Sequence, residues 1–210
     1  MNKDTIRIGT RGSQLALYQA KRTRKELAEK FPELTVEIEV IKTKGDKILD
    51  VALSKIGDKG LFTKEIENAL LEWTIDIAVH SLKDLPTVLP EGLKLGAVLE
   101  RGEFRDALVS KDGRKLSELT PNDTIATSSL RRKAALLKIN KDFKIVDIRG
   151  NVNTRLRKME EGHCDAMIMA AAGLQRLELD HYITEIREPD VLLPATSQGV
   201  IAIESRENDT

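Results

Sequence analysis

Ile75-Asp76-Ile77-Ala78-Val79-His80 is a short, mostly apolar run, and Ser81-Leu82-Lys83-Asp84-Leu85-Pro86 follows it directly. A strand apolar at nearly every position, rather than every second one, has both faces covered, as in a parallel sheet. Upstream of it, Phe62, Ile66, Ala69, Leu70 and Trp73 mark an amphipathic helix. Residues 36–41 alternate, with Val36, Ile38 and Val40 set against Glu37 and Glu39, and read as a strand. The chain opens with a strand at Thr5–Thr10, a turn at Arg11-Gly12-Ser13 with Ser13 as N-cap, and a helix carrying Ala16, Ala20, Thr23, Leu27 and Phe31 that ends at Pro32. Strand–helix–strand–helix–strand predicts an α/β fold with crossover helices. Residues 42–60, rich in lysine and glycine, read as a mobile surface loop with at most a short helix.

The second half follows the same order without a residue-level repeat. Strands are expected at 107–110, Thr124–Ala126, 144–148, 166–172, 191–194 and 200–204, and helices at 129–139, 152–161 and 174–179. A strand at 94–99 leaves the first half, and 200–204 returns to it after the break at 194–199. The expectation is therefore two α/β lobes, residues 1–98 with 200–210 and residues 99–199. Each would be a mostly parallel sheet flanked by helices, the two joined by two hinge strands around a cleft. Ligands of such folds bind at the carboxyl ends of strands.

Composition narrows the function. Thirty-four basic and 34 acidic residues balance to zero, and aromatics are 3% of the chain, so a nucleic-acid binder is not expected. Hydrophobic residues at 40% fit a folded protein, but no run is long enough for a membrane span. Met1-Asn2-Lys3-Asp4 leads straight into a strand, so no signal peptide and a cytoplasmic location are expected. One cysteine excludes an internal disulfide, and histidines at 80, 163 and 181 make a metal centre unexpected.

Chemistry is then sought in the strand-end loops. Lys83 and Asp84 pair an ammonium with a carboxylate after the apolar strand. The pair reads either as a solvated surface turn or as a general acid/base Asp84 beside a cationic anchor. Thr127-Ser128-Ser129-Leu130-Arg131-Arg132 puts three hydroxyl residues and two arginines at a helix start. It is an ordinary cap or an anion site; arginines in a first turn oppose the helix dipole, and a bound carboxylate or phosphate would explain them. Arg149-Gly150-Asn151-Val152-Asn153-Thr154-Arg155, Ala172-Gly173-Leu174-Gln175-Arg176 and Arg11-Gly12-Ser13 share this pattern. Together they suggest planar, bidentate binders of a ligand with many carboxylates. No Gly-x-x-x-x-Gly-Lys or Gly-x-Gly-x-x-Gly loop points to a nucleotide. Cys164 and His80 read as structural.

These segments, in this order and nearly end to end, resemble the porphobilinogen deaminases, also called hydroxymethylbilane synthases, transferases of tetrapyrrole and haem biosynthesis. The matching motifs are Thr10-Arg11-Gly12-Ser13-Gln14-Leu15-Ala16, His80-Ser81-Leu82-Lys83-Asp84-Leu85-Pro86, Thr127-Ser128-Ser129-Leu130-Arg131-Arg132, Arg149-Gly150-Asn151-Val152-Asn153-Thr154-Arg155-Leu156 and Ala172-Gly173-Leu174-Gln175-Arg176-Leu177. The resemblance implies two lobes like type II periplasmic binding proteins, with a small third domain in the family. It implies a monomer that condenses four porphobilinogens, with loss of ammonia, into linear hydroxymethylbilane. Asp84 would handle the protons. Arg11, Ser13, Lys83, Thr127, Ser128, Ser129, Arg131, Arg132, Arg149, Gly150, Asn151, Arg155, Arg176 and Gln198 would hold substrate, polypyrrole intermediates and a dipyrromethane cofactor. Lys55 and Lys59 would lie on a mobile loop over the cleft.

Two departures stand out. Ser197 occupies a glycine position of the family's Pro-Ala-x-Gly-Gln-Gly hinge, and the sequence stops at Thr210. The family's third domain, with the cysteine that anchors dipyrromethane by a thioether, is therefore expected to be absent, and Cys164 is not that cysteine. No covalent cofactor is expected on this chain. The alternative reading is a non-catalytic two-lobed module that binds a polycarboxylate or polypyrrole.

Overall fold

The structure is a computed structural model that describes residues 4–47 and 60–209. Those residues fall into two compact units, one of 4–47, 60–101 and 200–209, the other of 102–199. In chain order the first unit holds β1 (Thr5–Thr10), α1 (Gln14–Lys30), β2 (Thr35–Val40), the helical turn α2 (Lys44–Lys47), α3 (Lys64–Leu71), β3 (Ile77–Ser81) and β4 (Leu93–Val98). The second holds β5 (Asp106–Ser110), β6 (Thr124–Ala126), α4 (Leu130–Ile139), β7 (Lys144–Val146), α5 (Val152–Glu160), β8 (Ala166–Ala170), α6 (Ala171–Gln175) and β9 (Glu185–Arg187). The chain then returns to the first unit as β10 (Ile201–Arg206).

The first sheet has the order β2-β1-β3-β10-β4. Strand β1 runs parallel to β2 and β3, and β10 runs antiparallel to β3 and β4, with Ala202 opposite His80. Ser13 caps α1 by accepting from the Ala16 N–H at 3.2 Å, as its position in the sequence predicts. Ile8, Ala20, Val79 and Ile201 form one buried cluster; Ile66, Leu70, Ile75, Ala78 and Leu93 form another. Ala78, Val79 and His80 are all buried, so β3 is covered on both faces. Each fully buried isoleucine or leucine contributes about 1.5–3 kcal/mol.

The second sheet repeats the layout as β7-β6-β8-β5-β9. Strand β6 is parallel to β7 and β8, and β5 is antiparallel to β8 and β9. The expected mostly parallel sheets are thus mixed, two parallel and two antiparallel pairings in each. Residues 191–194 form no strand: the Val191 and Leu192 N–H groups both bond the Glu188 carbonyl, making a turn that buries only Leu192. An apolar residue signals burial and leaves the backbone open. Strand β8 stops at Ala170, opposite Asp106 at the head of β5, and α6 starts at once, earlier than the expected helix at 174–179. Strand β9, Glu185-Ile186-Arg187, is too short for its alternation to announce a strand.

The outgoing and returning segments run side by side. The Leu99 N–H bonds the Ile201 carbonyl at 3.0 Å, and the Gly102 N–H bonds the Gly199 carbonyl at 3.0 Å. Gly199 has φ 89°, and a Cβ there would sit 2.8 Å from the Gly102 oxygen and 2.9 Å from the Glu103 oxygen. Only glycine fits. Ser197, two residues earlier, has φ 62°, a left-handed conformation despite its side chain.

Candidate functional site

In the first unit, Arg11, Ser13, Gln19, Phe62, Thr63, His80, Ser81 and Asp84 are among the residues lining a cavity of about 70 Å3. Strand β3 ends at Ser81, and a tight turn over Leu82–Asp84 follows, closed by the Leu85 N–H on the Leu82 carbonyl at 3.2 Å. Pro86 keeps Leu85 extended, at φ −74° and ψ 143°. This turn lifts Asp84 and Lys83 to the exposed rim, with Asp84 on the cavity wall. Gln19 donates to the Ser81 hydroxyl at 2.8 Å and ties α1 to the end of the strand.

Arg11 is already engaged. Its Nε lies 3.2 and 3.3 Å from the two Asp46 carboxylate oxygens, its Nη2 also contacts Asp46, and its guanidinium stacks 4.2 Å over the Phe62 ring. Burial alone would raise the Asp46 carboxyl, but hydrogen bonds from Arg11 and Thr43 outweigh it and hold the group below its usual range. On the cavity wall, His80 Nε2 stands 3.1 Å from Glu204 Oε2, both side chains buried. Glu67 is buried as well, and burial pushes its carboxyl up, with the Glu204 charge adding to the effect.

In the second unit the arginines at the start of α4 converge on Asp106, which is 0% exposed. Arg131 Nη1 donates to Asp106 Oδ2 at 2.8 Å; Arg132 Nη2 donates to Oδ1 at 2.6 Å. Gln198 donates to Oδ1 at 2.9 Å and to the Phe104 carbonyl at 2.7 Å. Arg132 and Gln198 are buried, and Arg132 Nη1 also bonds the Ile168 carbonyl at 3.1 Å. Both were expected to hold a ligand; in this structure both donate to Asp106. The three hydroxyls before α4 also have local work. Thr127 Oγ1 accepts the Ser129 N–H, Ser129 Oγ accepts the Arg132 N–H, and Ser128 Oγ bridges both backbone groups of Ile148.

At the start of α5, Asn151 caps the Thr154 N–H at 2.9 Å, and Arg155 Nε donates to the Gly150 carbonyl at 2.8 Å. Gly150 has φ 117°, and a Cβ there would lie 2.6 Å from the Thr154 methyl carbon. Arg149 is half-buried, with its carbonyl accepting from Lys158 at 3.2 Å. Arg176 reaches the Gly199 carbonyl at 2.6 Å. Arg11, Ser13 and Asp84 thus meet in one cavity, and Arg131, Arg132 and Gln198 meet on one carboxylate. Lys55 and Lys59 lie outside the described residues. Asp106 and Asp46 were missed by the sequence reading; the one signal for Asp106 was an acidic residue heading the apolar run Ala107-Leu108-Val109.

Cys164 is buried, and burial, reinforced by Asp165, pushes its thiol up to about 11. Among the described residues no group of three or more His, Cys, Asp or Glu is placed to hold a metal ion. Among the described residues, no helix is long and apolar enough to cross a membrane.

Residues 6–210 match the family described as porphobilinogen deaminase, dipyromethane cofactor binding domain. The chain belongs to the porphobilinogen deaminase family. The porphobilinogen deaminase of Chlorobaculum tepidum is 53% identical over 209 residues, covering 100% of this chain and 67% of that relative. That of Syntrophomonas wolfei is 55% identical over 204 residues, covering 97% of this chain and 67% of that relative. The chain therefore spans about two thirds of the length of these curated relatives. The fold is that of type II periplasmic binding proteins. The BenM effector binding domain, solved with its effector benzoate, aligns with a TM-score of 0.54 at 19% identity, covering 98% of this chain and 84% of that one. The periplasmic VFT2 domain of Bordetella pertussis BvgS aligns with a TM-score of 0.54 at 12% identity, covering 99% and 83%. At these identities the likeness concerns the fold alone. Within the deaminase family, Asp84, Arg11 and Arg131 fall in the motifs that carried the resemblance.

Proposed function

We propose that this chain supplies the substrate-binding and proton-handling part of a porphobilinogen deaminase, which joins four porphobilinogens into hydroxymethylbilane. The observation that carries this reading is the cavity in which Asp84 and Arg11 meet at the end of β3. Each condensation breaks the bond between the aminomethyl carbon and its nitrogen, which leaves as ammonia. It forms a carbon–carbon bond to a pyrrole of the growing chain and displaces a proton from that ring carbon. In this reading Asp84 stabilises the charge that develops as ammonia departs and accepts the displaced proton. Arg131, with Arg11, Arg149, Arg155, Arg176 and Lys83 as further cations, receives the acetate and propionate groups.

A dipyrromethane carries the same carboxylates, so the donor set that fits substrate fits this cofactor too. When bound, it offers an electron-rich pyrrole carbon for joining a further ring. The buried, poorly ionised Cys164 is unsuited to a thioether, so residues 1–210 hold the cofactor without a covalent bond.

The test is a chimera in which this chain replaces the matching two thirds of the Chlorobaculum tepidum relative. Porphobilinogen consumption and ammonia release are expected. Asp84→Asn should cut turnover about 10²–10⁴-fold while leaving porphobilinogen binding within a few-fold. Near-normal turnover in that variant would remove Asp84 from the role.

A further inference from the structure

Arg131 has five N–H groups, and the structure shows which are taken. Nη1 carries two, directed at Asp106 Oδ2, 2.8 Å away, and at the Leu193 carbonyl. Neither Nε nor Nη2 of Arg131 has a partner among the described residues. Those two nitrogens form the edge of the guanidinium whose parallel N–H bonds match a carboxylate. The Arg131 side chain is 28% exposed and Asp106 is 0% exposed, so a buried carboxylate holds a guanidinium that stays partly open to water.

Asp106 divides its oxygens: Oδ1 serves Arg132 and Gln198, and Oδ2 serves Arg131. One carboxylate against two guanidiniums leaves a net charge of +1 on this cluster, which an incoming anion neutralises. Burial alone would raise the Asp106 carboxyl, but Arg132, Arg131 and Gln198 outweigh it and hold the group in its charged form.

We infer that Asp106 is a positioning residue for carboxylate recognition, gripping the Nη1 corner of Arg131 so that the Nε–Nη2 edge faces a substrate carboxylate. This rests on the function proposed above and names the residue that aims its cation. A merely structural Asp106 would serve only to neutralise the buried Arg132. The two roles part in a double variant, because Asp106→Asn combined with Arg132→Gln removes one charge of each sign.

Porphobilinogen binding to the 210-residue chain, followed by calorimetry together with thermal unfolding, separates them. Asp106→Asn should lower affinity about 10–100-fold and lower the melting temperature. The double variant should recover much of the melting temperature and little of the affinity. Recovery of both overturns the inference. The Nε–H resonance of Arg131 gives a reading without any ligand: sharp in the unaltered chain, exchange-broadened in both variants. The same linewidth in all three overturns the inference even if the unaltered chain binds no porphobilinogen, a result that would count against the proposed function instead.

Discussion

Glu67 places a carboxylate at 6% exposure beside Glu204 and His80, with its Oε1 lacking a hydrogen-bond partner. Its carboxyl is raised, so the folded state prefers the protonated form, and the penalty grows as pH climbs past the ordinary value of 4.5. Glu67→Gln keeps the shape and removes the charge. It should stabilise the protein at pH 7 by on the order of 1 kcal/mol, about 2–4 °C in melting temperature, and the gain should vanish near pH 4. Thermal melts of both proteins at the two pH values check this; a gain that persists at pH 4 would point to packing instead of charge. The residue scale also shows what a sequence can carry. Ser13 and Asp84 were legible because helix caps and strand-end turns are local in sequence. Asp106 was not, since its partners Arg131 and Gln198 lie 25 and 92 positions away. Nor was the capture of Arg11 by Asp46, 35 positions on.

Where the chain returns to the first unit, one short segment concentrates the backbone constraints. Ser197 holds φ 62° where the family motif has glycine, at a cost of about 1–2 kcal/mol for an L-residue. Glycine would remove that strain but bring more freedom to the unfolded chain. Ser197→Gly should therefore stabilise by at most about 1 kcal/mol, as read by urea denaturation. Gly199→Ala, with its Cβ driven against the Gly102 and Glu103 oxygens, should destabilise by roughly 2–4 kcal/mol. Equal midpoints for the two variants would contradict this geometry. Helices α1, α4 and α5 and strand β1 follow the sequence reading because cap residues and spacing fix them locally. The stretch at 191–194 and strand β9 do not, because whether three or four residues join a sheet depends on an edge that tertiary packing supplies.

At the scale of the molecule, the two sheets share one strand order, and in each the first three strands are parallel while the remaining pairings are antiparallel. The repeated order of elements was visible in the sequence. The direction of the inserted strand was not, because parallel and antiparallel neighbours can bury the same side chains. In the first unit that strand is β10, lying between β3 and β4 although more than 100 residues separate it from them. On the ribosome this reverses the usual order of events. The sheet begun by the first residues synthesised stays split in two until Arg206 has left the exit tunnel, roughly 5–20 seconds after Arg101. Among the described residues the second unit is continuous in sequence and complete by Gly199, so it can close first. Nascent chains stalled with residue 199 just exposed should resist protease across 102–199 and be cut within 4–101; chains extended until residue 209 has also left the tunnel should be protected in both. Equal protection at the shorter length would mean that the early strands find a stable arrangement without β10. The late strand thus makes the earliest-made half of the protein the one most dependent on chaperones during translation.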